Sequence, residues 1–334
     1  MTLRAERVTN DSDVAAWQHV AERCVPVDHP GQVVEPIEEV RSRALRPDPS
    51  ERHIHVNAFD DDELVGCALL SMSMRDNLSR AHLAAMVLPE RRGHGLGTEL
   101  VASMLDIVRG EGRDTVSAHV SESEPSGEAG RAIARRLGAT PALETLRSGL
   151  DLSAVTDPWL DELLAAHVGA RADGYGVVTW IDHVPDELLD GAAHLMGRMS
   201  TDTPRGSLDI EAESWDGQRY RDAEDVVVGL GRMRVAAGVV DAAGNLVASS
   251  DYAVVRSRPR IVEQWDTIVD PAHRGRRLGL VVKVANLRHL KSVSPESVSV
   301  QTYNAVDNTH MLAVNKLLGF VPLERYMNWQ LKLS

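Results

Sequence analysis

Apolar positions recur at helical spacing in a few stretches and as short runs or alternations in many others. In the first half, Leu96, Leu100, Val101, Met104, Leu105 and Val108 share one face of a helix over residues 96–109, closed by Gly110 and Gly112. Asp13–Arg23 and Ala129–Leu137 read as further helices. HIHVNAF (53–59), LVGCALLSM (64–72), AHLAAMVL (81–88) and TVSAHV (115–120) read as strands, with a closing strand at about 145–152. The second half runs in the same order. GVVTWI is a strand, Asp186–Met199 a helix, and MRVAAGVVDAAGNLVASSDYAVV a hairpin. RIVEQWDTIV is a strand and Leu278–Leu290 a helix; SVSVQTY is a strand, His310–Leu317 a helix and YMNWQLKL the last strand. Hairpins followed by strand, helix, strand, helix, strand predict an α/β (α+β) fold with a mixed sheet.

The likeness of the halves extends to register. Val87-x-Pro89 and Val269-x-Pro271 lie 182 residues apart, as do Leu64-Val65 and Leu246-Val247. LGATPALETLRSGLDL (137–152) aligns with LGFVPLERYMNWQLKL (318–333) at an offset of 181. Three matches in one order at nearly one offset indicate duplication, and the period is that of a domain. The expected organisation is an N-terminal domain over 1–152, a helical linker over 153–171 and a C-terminal domain over 172–334. The linker helix centres on 157–168, with Asp157 as N-cap candidate, Pro158 at the first helical position and Gly169 as stop.

Composition narrows the class. Hydrophobic residues make up 43% and charged residues 25%, ordinary for a globular chain. A net charge of −13 opposes binding to phosphate backbones, so no nucleic-acid partner is expected. Cys24 and Cys67 are too few for a disulfide framework. The opening MTLRAERVTN has no apolar core, and no apolar run approaches the ~18 residues of a membrane span. A cytoplasmic protein without a membrane partner is expected. His53 and His55 lack a third ligand nearby in sequence, so no metal is expected.

VLPERRGHGLGTEL (87–100) and VDPAHRGRRLGLVV (269–282) carry the candidate chemistry. In each, a strand ends at Val-x-Pro, a loop follows and a helix begins. A helix N-terminus offers unpaired amide hydrogens and partial positive charge, which suit phosphate oxygens. Glycines let the backbone curl around a diphosphate, and Arg91, Arg92, Arg274, Arg276 and Arg277 concentrate positive charge there. No Gly-Lys pair exists for a Walker loop, and residues 93–97 depart from the dinucleotide spacing. Arg92-x-x-Gly95-x-Gly97 after Val-x-Pro resembles the loop of the GNAT superfamily of N-acetyltransferases. Asn308, Asn315 and Leu318-Gly319-Phe320 extend the resemblance in the second copy. It covers both halves, so the chain resembles a tandem of two GNAT-like domains, each a mixed, mostly antiparallel sheet flanked by helices.

The resemblance implies that these loops hold the diphosphate of acetyl-CoA: Arg92, Gly93, His94, Gly95, Leu96, Gly97 and Thr98 in the first copy, Arg274, Gly275, Arg276, Arg277, Leu278 and Gly279 in the second. It also implies that a strand amide, of Ile268 or Val269 (Leu88 or Val87 in the first copy), polarises the thioester carbonyl. Arg277 replaces a glycine and is expected to require an ordinary backbone angle. A general base must take a proton from the attacking amine. The strand AHLAAMV has no carboxylate, whereas RIVEQWDTIV carries Glu263 and Asp266. These lie on opposite sides of a regular strand unless a bulge intervenes. Asn304 and Asn308 suit the amides of the pantetheine arm; Asn315 stands where the family carries a tyrosine acid, leaving Tyr303 or Tyr326 to substitute. The expected function is acetyl transfer from acetyl-CoA to a primary amine of a small molecule or peptide, catalysed by the C-terminal copy while the N-terminal copy is degenerate. The alternative is a non-catalytic acyl-CoA sensor or scaffold. Asp209, Glu211, Glu213 and Asp216 around Trp215 suit a cationic acceptor, and an oligomer is compatible with the chain.

Overall fold

The computed structural model describes residues 3–123 and 126–333. It divides into two compact units. The first holds the chain up to Thr145, Arg205–Glu211 and the stretch from Glu324 onward; the second holds Leu146–Pro204 and Ala212–Leu323. The chain begins with β1 (Leu3–Arg7), α1 (Asp11–Asp28), α2 (Ile37–Leu45), β2 (Glu51–Asp60), β3 (Glu63–Ser73) and β4 (Arg80–Val87). α3 (Leu96–Gly110), β5 (Thr115–Ser121) and α4 (Ser126–Arg136) follow. β6 (Thr140–Asp151) leads to α5 (Asp157–His167), β7 (Gly176–Ile181), α6 (Leu189–Asp202), α7 (Gly217–Gly229), β8 (Arg232–Val240) and β9 (Leu246–Val255). β10 (Ile261–Val269), α8 (Leu278–Val293), β11 (Ser299–Ala305), α9 (Thr309–Leu317) and β12 (Val321–Lys332) complete the order.

In the first unit the strands run β1-β2-β3-β4-β5-β12; in the second they run β6-β11-β10-β9-β8-β7. Only β4–β5 and β10–β11 are parallel among these pairs of known direction, so each sheet is mixed and mostly antiparallel. The last strand of each sequence repeat does not follow its own repeat. β12 pairs antiparallel with β5, from Tyr326 opposite Ser121 to Lys332 opposite Thr115, and so completes the first unit's sheet. β6 takes the corresponding edge beside β11 in the second. The two closing segments align in sequence, so their pattern alone does not say which edge each fills.

The apolar stripe of α3 packs Leu96, Leu100, Met104, Leu105 and Val108 onto Ile54, Val56, Val65 and Leu70 of the sheet. α1 covers the opposite face through Val14, Trp17, Val20 and Cys24. In the second unit α8 sets Leu280, Val284 and Leu287 against Val235, Tyr252 and Val262. The linker helix starts one residue earlier than expected. Thr156 is its cap, its hydroxyl accepting the Trp159 amide at 3.4 Å, so Asp157 lies inside the helix. The threonine oxygen reaches the free amides that the aspartate would otherwise cap. No helix among the described residues is long and apolar enough to cross a membrane.

Lys283 of α8 is buried with its ammonium 5.2 Å from the Phe320 ring centre. Burial pushes its pKa down to about 7. The unfolded chain then holds a proton that the folded chain lacks between about pH 7 and the ordinary lysine range, so stability rises with pH in that window. Lys283→Met is expected to raise the melting temperature at pH 7 and to flatten its increase up to about pH 8.5. Thermal melts at both pH values check this.

Candidate functional site

The two loops turn from strand to helix through left-handed backbone. Gly93 and Gly95 have φ of 85° and 86°; Gly275 and Arg277 have 82° and 61°. Arg277 therefore does not take the ordinary backbone angle expected for it. It occupies the same left-handed cap position as Gly95, directly before α8, because the chain must reverse there to start the helix. That conformation costs a non-glycine residue about 1–2 kcal/mol. Arg277→Gly is expected to stabilise the chain by about 0.5–1 kcal/mol, the gain being offset in part by glycine's entropy, which a denaturant titration measures. Among the described residues, the amides of 93–97 and 275–279 donate to no backbone carbonyl. They form a row of free donors at the head of each helix, the arrangement that accepts a diphosphate.

One arginine in each loop holds it in place. Arg92 donates from Nε to the Val87 carbonyl at 2.9 Å and grips Asp28, the last residue of α1, at 2.7 and 2.8 Å. Arg274 repeats this with the Val269 carbonyl at 3.1 Å and Asp202, the last residue of α6. Arg91 is paired with Asp60 and Glu63, and Arg276 lies over the Tyr175 ring. The positive charge read from the sequence thus mainly fixes the loops, while His94 and Arg277 stand exposed on them. Leu96 and Leu278 anchor the helix starts in the cores; Gly97, Thr98 and Gly279 fill the first turns.

Beside each loop two parallel strands part. β4 and β5 pair only over Arg80–His82 with Thr115–Ser117, and β10 and β11 only over Ile261–Gln264 with Ser299–Thr302. Leu88 donates its amide to Val65 and Asp270 donates to Val247, both at 2.9 Å, on the antiparallel side. Strand alternation turns the amides of Val87 and Val269 toward the gap and that of Ile268 away from it.

The second unit brings both carboxylates of β10 to one face. The register with β9 slips by one residue between Gln264 and Thr267, a bulge at Trp265–Asp266. Glu263 pairs with Arg232 of β8. Asp266 lies half-buried in the field of a further cluster. Arg234 donates to Asp251 and Glu224, both at 2.9 Å, and to Tyr220. Desolvation, with the negative charge of Asp251 added, pushes the Asp266 carboxyl up to about 7. Ala81 and Ala84 stand at the equivalent places in β4.

The remaining candidates scatter. Tyr303 is exposed on β11 just past the last paired residue. Tyr326 belongs to the first unit: it sits on β12 opposite Ser121 of β5. Asn315 donates to Asn304 at 2.7 Å, while Asn308 caps α9 by accepting the Met311 amide at 3.2 Å. The acidic stretch is divided. Asp209 pairs with Lys332 and Glu211 accepts the Asn77 amide in the first unit. In the second, Asp216 caps α7 and Glu213 accepts from Trp215 at 2.9 Å. Two groupings had no signal in the sequence. One is Arg234 with its three partners; the other joins His29, Ser121, Glu324 and Tyr326 in the first unit.

Known proteins bear on this geometry. Residues 15–137 match the acetyltransferase (GNAT) family model. A mycothiol acetyltransferase of Nocardia farcinica is 29% identical over 296 residues, covering 86% of each chain. One from Tsukamurella paurometabola is 28% identical over 243 residues, covering 73% of this chain and 75% of the relative. A solved tandem GNAT protein from the clavulanic acid biosynthesis pathway superposes with a TM-score of 0.80 at 27% identity over 99% of both chains. A GCN5-related N-acetyltransferase from Sphaerobacter thermophilus shares the fold, with a TM-score of 0.66 at 16% identity over 99% of this chain and 95% of that one. The duplicated loops, the parting strands and these likenesses agree: residues 15–137 match a GNAT acetyltransferase domain, and the fold over the whole chain is similar to that of a tandem GNAT protein.

Proposed function

We propose that the chain transfers an acetyl group from acetyl-CoA to a primary amine of a small molecule, by direct attack with both substrates bound, and that the C-terminal repeat is the catalyst. The free amides at the two helix heads and the gaps between parted strands fit the diphosphate and the arm of the coenzyme. Acetyl-CoA supplies the activated acyl group. Gly275–Gly279 would cradle the diphosphate, with Arg277 adding charge. Val269 would donate its amide to a carbonyl oxygen in the gap. Asn304 and Asn315 would steady the arm.

The observation that carries the reading is Asp266. The bulge turns it to the face of Arg232 and Arg234, and its raised pKa of about 7 suits a proton acceptor near neutral pH. Glu263, held by Arg232, would shape the acceptor side, and Tyr303 would stand near the departing sulfur. Glu213 adds to the negative field at Asp266, which favours an ammonium-bearing acceptor. The relatives named mycothiol acetyltransferases support a small-molecule acceptor.

Release of free thiol from acetyl-CoA over a panel of primary amines tests this, with Glu263→Gln and Asp266→Asn compared against Gly95→Arg. Loss in Asp266→Asn is expected. Loss in Gly95→Arg alone would reverse the roles of the two repeats. Coenzyme binding without thiol release from any amine would favour the sensor.

A further inference from the structure

The N-terminal unit has no carboxylate on β4, but a histidine is hydrogen-bonded into the ends of its parted strands. Val87 ends β4 with its carbonyl toward the gap, and that oxygen accepts from Arg92 Nε at 2.9 Å and lies 3.4 Å from Cys24 Sγ. Arg92 is gripped by Asp28. The next residue is His29. On the other side of the gap β5 ends at Ser121. Its hydroxyl donates to Glu324 Oε1 at 2.7 Å, and the same oxygen meets His29 Nδ1 at 2.9 Å. His29 is thus tied to the ends of both parted strands.

The arrangement fixes its tautomer. Glu324 is 6% exposed and Tyr326 donates to its second oxygen at 2.7 Å. Burial favours the neutral acid, but hydrogen bonds from His29, Ser121 and Tyr326 outweigh it and hold the carboxyl down at about 2. An ionised carboxylate only accepts, so Nδ1 donates and, in the neutral ring, Nε2 is the nitrogen with the lone pair. Among the described residues Nε2 has no partner, and the side chain is 26% exposed. A buried carboxylate that orients an imidazole is the logic of hydrolase triads.

We propose that the N-terminal unit is a second acyl-transfer centre, in which His29 is the general base for a primary amine and Glu324, delivered by the last strand of the chain, is its positioning residue. The proposal rests on the reading of the loops as coenzyme cradles. The amine lone pair forms the C–N bond as the C–S bond breaks. His29 Nε2 takes the amine proton and passes it, through solvent, to the departing sulfur, so amine and thioester give amide and thiol.

The test uses the full chain carrying Asp266→Asn, with acetyl-CoA and hydroxylamine, a small amine uncharged near neutral pH, as probe. His29→Gln is expected to lower thiol release at least about 100-fold. Glu324→Gln should lower it about 10-fold, and added imidazole should restore part of the activity of His29→Gly, which a structural role would not allow. Nitrogen NMR of labelled histidines in the chain alone should find His29 protonated at Nδ1 and not at Nε2. Thiol release by His29→Gln at the rate of its parent, no release from the parent, or hydrogen on Nε2 would each overturn the proposal. Failure of the underlying reading looks different: calorimetry would then find no acetyl-CoA binding to the unaltered chain.

Discussion

Asp266→Asn is expected to lower amine-dependent thiol release by 10²–10⁴-fold, the usual contribution of a positioned general base. The side chain keeps its size, so folding and coenzyme binding should survive. The pH profile separates loss of a base from loss of shape. With a carboxyl raised to about 7, activity of the unaltered chain rises as pH climbs through that value and the proton leaves. The asparagine variant should lack that rise. Glu263→Gln, whose partner is Arg232, should retain the profile and change acceptor affinity instead. A variant that loses activity equally at every pH, or a profile that persists in Asp266→Asn, would move the base elsewhere.

Arg234→Met is expected to destabilise the second unit by about 3–5 kcal/mol, because it strands the buried Asp251 carboxylate and takes one of two cations from Glu224. Asp251 and Glu224 are 6% and 1% exposed, and each accepts from Arg234 at 2.9 Å. Arg221 also reaches Glu224, at 2.6 Å, but from a more exposed position, so Arg221→Met should cost much less. Denaturant titrations of the two variants give the comparison. Arg234 also lowers the Asp266 carboxyl against desolvation and its acidic neighbours. If Arg234→Met folds, its pH profile should move upward. An unshifted profile would uncouple the cluster from the base.

Much of this was legible in the chain. The loops, their two helices and the duplication follow from glycine spacing, apolar period and a constant offset. What stayed hidden depends on contacts that no local pattern records. The closing strands align in sequence, so nothing in their pattern says that β12 completes the first unit's sheet, or that Tyr326 goes with it. Glu324 meets His29 across 295 residues of sequence. A period of two places Glu263 and Asp266 apart; only the bulge at Trp265–Asp266 reunites them. Asn308 looks like a ligand and serves as a cap, since a helix start consumes the nearest acceptor. Arg277 shows that a family glycine can be replaced while its left-handed backbone persists.

Calorimetric titration of the unaltered chain with acetyl-CoA bears most directly on the claim that the two helix heads are diphosphate cradles. Saturable uptake of at least one equivalent, tighter than about 1 mM, is the predicted result. A chain that takes up no coenzyme at millimolar concentration would contradict it.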